Sequence, residues 1–365
     1  MKSNQHLRQL FLLTVLLLLL SASYKNGKSR QPTNTRLQHI TADGRQLIDE
    51  SGRTFRVWGL NYGAGGGDGL TAHFWTSESG WEELTKDWYD MKGLGANTVR
   101  VHLQAHEFLL DAETVNAGAI ENLQRLVSLS EEVGMYLLIT GLGAYVEADQ
   151  PIWYNGLDDE ARWVAHETFW GEIAKAVGHS PAVLGYDLMN EPIVAVKPEE
   201  GWTPGEPYGG FNYVQNIALS TNGKTQMEVL GEWIDRLTAA IRAYDSRHFV
   251  TVGFLSFPVY NTMGPRLSCM TIHLYPKEDD VAASDKSIDD FTSNRIPLMV
   301  TEISPLYGSP NFIADFIRRH NNRVSGWIWH YHGETPEEIG EPETIIKALW
   351  KEALTKFRAM APQQK

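Results

Sequence analysis

Apolar residues in this chain fall into short runs separated by longer stretches in which they recur every three or four positions. The runs are "FRVWGLNYG" (55–63), "NTVRVHL" (97–103), "YLLITGL" (136–142), "VLGYDLMNE" (183–191), "FVTVGF" (249–254), "CMTIHLY" (269–275), "PLMVTEIS" (297–304) and "VSGWIWH" (324–330). Their length and near-continuous apolar character predict strands buried on both faces. Between most of them lie segments with the period of amphipathic helices, such as "WEELTKDWYDMKGLG", "AIENLQRLVSLSEEVG" and "TQMEVLGEWIDRLTAAIRAYD". The same pattern closes the chain in "TIIKALWKEALTKFRAM". Ahead of the first run, "ADGRQLIDESGRTF" carries Asp-Gly and Ser-Gly turn signals and predicts a β-hairpin. Between strands five and six, "LSFPVYNTMGPRLS" is too short and too rich in Pro and Gly for a long helix.

Strands alternating with helices build parallel βαβ units, which either close into a barrel or form an open doubly wound sheet. The count of eight favours closure. After strand one, "GAGGGDG" lacks the helix start of a dinucleotide-binding turn, so Gly65–Gly67 reads as a flexible loop. The expected fold is therefore α/β, a (β/α)8 TIM barrel with an N-terminal β-hairpin, forming one domain over residues 36–360. The longest non-helical connection, Pro192 to Asn222, contains Trp202, Tyr208 and Phe211. Loops of that length inside a compact domain are usually functional, and this one is expected to wall a binding cleft.

Composition narrows the class of partner. The chain has 365 residues, is 42 % hydrophobic and carries a net charge of −13, which argues against a nucleic-acid partner. Residues 1–23 run from basic "MKSNQHLRQ" through an eleven-residue apolar block to "SAS", the order of a secretory signal peptide. The block is short of the roughly 20 residues that span a membrane. A secreted or periplasmic protein is expected, with an uncleaved N-terminal membrane anchor as the alternative and residues 24–35 as a disordered spacer. Cys269 is the only cysteine, so no intramolecular disulfide forms, and its apolar neighbours make it a small core residue.

The chemistry lies where the runs end. In a (β/α)8 barrel, functional groups sit at the C-terminal ends of the strands. Strand two carries Arg100 and His102, strand four ends in Asn190 and Glu191, and strand six in His273 and Tyr275. Strand seven ends in Glu302, and strand eight holds Trp327, Trp329 and His330. Two carboxylates that converge only on folding are what glycoside hydrolysis requires.

This constellation resembles glycoside hydrolase family 5, the cellulase-like retaining glycosidases, across the whole domain. The motifs are Arg100 on strand two, Asn190-Glu191 on strand four, His273-x-Tyr275 on strand six, Glu302 on strand seven and Trp on strand eight. The resemblance implies hydrolysis of a β-linked oligo- or polysaccharide, of β-1,4-glucan or β-mannan type, by a monomer needing no cofactor or metal. It makes Glu191 the acid/base and Glu302 the nucleophile, with Asn190 on the sugar 2-hydroxyl. Tyr275 and Arg100 would hold Glu302, His273 would support Glu191, and Trp329 would floor the cleavage subsite. Trp329 is preferred to Trp327 as nearer the strand's C-terminal end. The family's His at the end of strand three is missing, and Gly141 and Gly143 stand there instead. Two other readings stay open: a catalytically silent carbohydrate-binding barrel, and a metal-dependent hydrolase using His102, His106 and Glu107.

Overall fold

A computed structural model describes residues 36–62 and 75–362. The expected signal peptide, the spacer and the Gly65–Gly67 loop lie outside the described residues. From Leu37 onward the described residues form one compact unit.

Eight parallel strands close into a barrel in chain order. They are Val57–Asn61, Thr98–Gln104, Tyr136–Gly143, Val183–Asn190, Phe249–Leu255, Met270–His273, Leu298–Glu302 and Gly326–His330, called strands one to eight below. Each falls within two or three residues of its expected bounds, because continuous apolar runs bounded by turn residues leave little room for another reading. The connection between strands five and six is a 3-10 segment, Pro258–Arg266, in place of a full helix.

The helices lie outside and present their apolar stripes to the strands. In Gln226–Arg242 that face holds Val229, Leu230, Trp233, Ile234, Leu237 and Ile241, and Thr225 and Glu228 form a capping box that fixes its start. Among the described residues no helix is long and apolar enough to cross a membrane.

The expected hairpin is present and continues into a third strand: Thr41–Asp43, Gln46–Ile48 and Thr54–Phe55 form an antiparallel sheet. Gly44 and Gly52 turn it at φ +55° and +78°, where other residues are strained. Ile40 and Leu47 pack against Val57, Leu138, Leu184, Phe249, Met299 and Ile328, so this segment plugs the N-terminal end of the barrel interior. Cys269 is buried in the same cluster, where burial pushes its thiol up out of the reactive range.

Register decides what the open end carries. Asn61 pairs with Arg100 and with His330, Asn190 with Gly253, and His273 with Glu302. Polar residues from strands one, two, four, six, seven and eight therefore gather at the same end of the barrel. Where the register slips, the extra residue lies on strand four, between Asp187 and Asn190, and on strand seven, between Val300 and Glu302, which re-aims the ends of those two strands. The long connection after strand four is ordered by two short parallel strands, Pro192–Val194 and Gln215–Ala218.

Candidate active site

Arg100 organises the barrel mouth. Its side chain is wholly buried on strand two, and its guanidinium donates through Nε and Nη2 to Asp187 Oδ2 at 2.9 and 2.8 Å. Nη1 donates to Glu302 Oε1 at 2.8 Å and to Asn61 Oδ1 at 3.0 Å, and Nη2 to Asn190 Oδ1 at 3.0 Å. Asp187 accepts further bonds from Thr140 Oγ1 at 2.9 Å and the Gly253 amide at 2.5 Å. A buried cation needs this many partners, and truncating one would leave a buried charge uncompensated. Gly253 is required by the same crowding, since a Cβ there would stand 2.8 Å from Arg100 Nη2 and 3.0 Å from His273 Nε2.

The two glutamates differ in surroundings. Tyr275 donates its hydroxyl to Glu302 Oε2 while Arg100 holds Oε1. Burial opposes ionisation of Glu302, but His273, Arg100, His330 and the Tyr275 hydroxyl outweigh it and hold this carboxyl well below the usual range. Glu191 follows strand four in a left-handed conformation, φ 45°, which costs a non-glycine residue about 1–2 kcal/mol. Its amide bonds the Gly253 carbonyl at 2.8 Å, and its Oε1 lies 2.7 Å from His273 Nδ1. One oxygen of Glu191, one of Glu302 and a ring nitrogen of His273 lie within 4.8 Å of one another.

These three also form the one group of possible metal-ligating side chains among the described residues. Of the three, Glu302 already has a permanent positive charge beside it, that of Arg100 at 2.8 Å. His102, His106 and Glu107 do not assemble into such a group: His102 Nδ1 pairs with the Tyr145 hydroxyl at 2.8 Å, and His106 Nδ1 faces Gln150 at 3.3 Å.

A cavity of about 520 Å³ opens over the pair, lined by both glutamates, Asn61, His102, Tyr145, Tyr275 and His330, and by Tyr208 and Phe211 of the long connection. Burial and the adjacent Arg100 push the His102 pKa well below its ordinary value, so its ring is neutral and orients the Tyr145 hydroxyl. The structure brings together Arg100, Asn190, Glu191, His273, Tyr275 and Glu302.

Trp329 is the exception. It packs outside the barrel against Trp58 and Phe357, with centroids at 6.5 and 6.0 Å, and does not line the cavity. Trp327 also points outward, onto Phe316. Strand parity turns Ile328 inward and brings His330 to the cavity wall. Trp202 is likewise absent from the wall, since its ring lies under the Arg162 guanidinium at 4.0 Å.

Sequence reasoning missed Asp187, Asn61, Tyr145 and Tyr213. Asp187 left a signal as a carboxylate inside an apolar run, and Asn61 as a polar residue at the end of strand one; Tyr145 and Tyr213, which also lines the cavity, left none. The glycines at the missing His position are explained by packing. A Cβ at Gly141 would sit 2.4 Å from Trp170, and one at Gly143 2.3 Å from Gln104. Tyr145, anchored by Gln104 Oε1 at 3.2 Å, fills that side of the cavity instead.

Residues 49–333 match the family described as Cellulase (glycosyl hydrolase family 5). The major extracellular endoglucanase of Xanthomonas campestris pv. campestris is 26 % identical over 162 residues, covering 41 % of this chain and 32 % of that protein. An endoglucanase of Paenibacillus polymyxa is 23 % identical over 161 residues, 41 % of this chain and 38 % of its own. The matched part thus spans about a third of the first relative and under two fifths of the second. In fold, the β-mannanase of the blue mussel Mytilus edulis superposes with a TM-score of 0.61 at 17 % identity, over 90 % of this chain and 99 % of its own. A Saccharophagus degradans β-glucanase in complex with cellotetraose gives 0.58 at 16 %, over 88 % and 92 %. With the family match covering most of the chain, it belongs to glycosyl hydrolase family 5.

Proposed function

We propose that this protein is a retaining glycoside hydrolase of β-linked glycans, with Glu302 as nucleophile and Glu191 as acid/base. The observation that carries this reading is the spacing of the pair, with an oxygen of each inside 4.8 Å. Retaining enzymes hold their carboxyl groups about 5–5.5 Å apart, whereas inverting ones need roughly 6.5–9.5 Å to admit a water.

The two steps follow from the surroundings. The ionised Glu302 attacks the anomeric carbon while Glu191 gives its proton to the glycosidic oxygen, and the bond to the leaving group breaks. Water then enters, Glu191 takes its proton, and the water oxygen displaces Glu302 from the anomeric carbon. As the ester breaks, the charge returning to Glu302 meets Arg100 and the Tyr275 hydroxyl, donors already in place. Asn190 spends one N–H on the Tyr213 carbonyl at 3.2 Å and keeps the other for the sugar 2-hydroxyl. The names of the relatives and structural neighbours support glucans or mannans with β-1,4 linkages as the substrate class. Reducing-sugar release from a panel of β-linked polysaccharides tests the reading, and no release from any of them would favour a silent binding barrel. Activity that disappears with a chelator would favour a metal hydrolase.

Tyr275→Phe separates the hydroxyl's contribution from that of Arg100. Losing a donor to the carboxylate raises the Glu302 pKa, because that bond is stronger to the charged form than to the neutral one. Activity is lost as pH falls through that pKa, so the acid limb of kcat/KM moves to higher pH. The expected fall at the optimum is about 10- to 100-fold. An unmoved limb would remove Tyr275 from this role.

The same reading extends to residues 1–23 as a secretion signal and 24–35 as a spacer, in keeping with the extracellular endoglucanase among the relatives. N-terminal sequencing of exported protein should begin near Tyr24, and protein that begins at Met1 would contradict it.

A further inference from the structure

Strand eight leaves its end of the cavity without the aromatic floor that a sugar ring would use, because Trp327 and Trp329 both face outward. An aromatic ring nevertheless stands on that side. Trp350 lines the cavity, and it comes from the C-terminal helix Ile345–Met360.

Helical spacing explains how it gets there. Trp350, Leu354 and Phe357 share one stripe at intervals of four and three residues. The lower part of the stripe is core: Leu354 and Phe357 are buried, and Phe357 stacks on Trp58 at 4.9 Å and 18°. One turn earlier Trp350 is only half-buried, against the cavity instead of the strands. Behind it lies His332, with centroids 4.1 Å apart, and His332 is stacked on His330 at 6.2 Å and 10°. His330 in turn lines the cavity together with Glu302. Three rings thus lead from the reacting carboxylate out to Trp350.

The helix is also held against the segment after strand eight. Lys347 pairs with Glu334 at 2.8 Å, Arg358 with Glu337 at 2.6 Å, and Lys351 donates to the Gly340 carbonyl. Exposed ion pairs add little stability singly, but two of them and a hydrogen bond along one helix fix where its rings stand.

We propose that Trp350 is a sugar-stacking platform, forming a subsite beside the one where the bond is cleaved. The inference rests on the glycan-hydrolase reading. A pyranose presents a face of C–H bonds that packs on an aromatic plane, and indole offers the largest such plane. Residues around the catalytic pair fix chemistry, whereas a platform one subsite away sets how tightly a chain is held.

The test is isothermal titration of cellotetraose and mannotetraose into the inert Glu302→Gln protein, alone and combined with Trp350→Leu or Trp350→Phe. Leucine keeps an apolar side chain for packing but removes the plane, and phenylalanine restores a smaller one. Trp350→Leu should weaken binding of the better tetrasaccharide by about tenfold or more, with Trp350→Phe recovering much of it. Binding within twofold of the parent in Trp350→Leu would overturn the platform and leave Trp350 as wall packing. If Glu302→Gln alone binds neither sugar, the glycan reading itself falls, and the platform with it. Circular dichroism on each variant ensures that a loss is read from folded protein.

Discussion

Glu302→Gln should lower kcat on every β-linked substrate by at least about 10⁴-fold while leaving the fold intact. The amide keeps the shape of the carboxyl, so its oxygen still accepts from Arg100 and its NH2 faces the Tyr275 hydroxyl. Arg100 remains compensated by Asp187 at 2.8 Å, so no buried cation is stranded. What disappears is the nucleophile, and with it the covalent intermediate on which both steps depend. Substrate binding should persist, because Glu302 attacks the anomeric carbon but is one polar group among many around the sugar. Steady-state kinetics and a binding titration on the same preparation check both halves. Retained turnover would remove Glu302 from the chemistry.

Glu191→Ala should split substrates by leaving group. On a polysaccharide, whose alkoxide leaves poorly without a proton, the expected loss is about 10²–10⁴-fold. On an aryl glycoside with an activated phenol, the first step needs no acid and should stay close to the parent rate. The second step still lacks its base, so the glycosyl-enzyme accumulates and KM falls together with kcat. Azide, a nucleophile that needs no deprotonation, should then restore turnover and yield a glycosyl azide. Equal losses on both substrates, with no rescue, would contradict the acid/base role.

How much of this was legible in the sequence depended on whether a residue's environment is local. The strands were legible, since eight apolar runs bounded by turn residues are local patterns. The rim residues were legible because they end those runs. Trp329 was misplaced for a physical reason. In "GWIWH" both faces are apolar, one toward the barrel interior and one toward the helices, so alternation does not say which is which. Nearness to the strand's end then favoured a residue that parity turns outward. Asp187 stood in plain view, but its meaning depends on Arg100, 87 residues away on another strand. Tyr145 and Tyr213, with ring centroids 5.4 Å apart, meet from two loops that only the closed barrel brings together. Trp350 was hidden in an ordinary amphipathic stripe, and only the fold shows that the first part of that stripe meets the cavity. Gly141 was read as the lack of a histidine, whereas Trp170 and Phe169 leave no room for a Cβ there.

The central claim is that Glu302 becomes covalently bound to the sugar. A 2-deoxy-2-fluoro β-glycoside with a good leaving group tests it directly, because fluorine destabilises the oxocarbenium-like transition states of both steps while the leaving group speeds only the first. Incubation followed by peptide mass spectrometry should place one fluorosugar on the peptide containing Glu302, with activity lost in proportion. A label on any other residue, or unlabelled protein that still turns over β-linked glycans, would contradict the assignment.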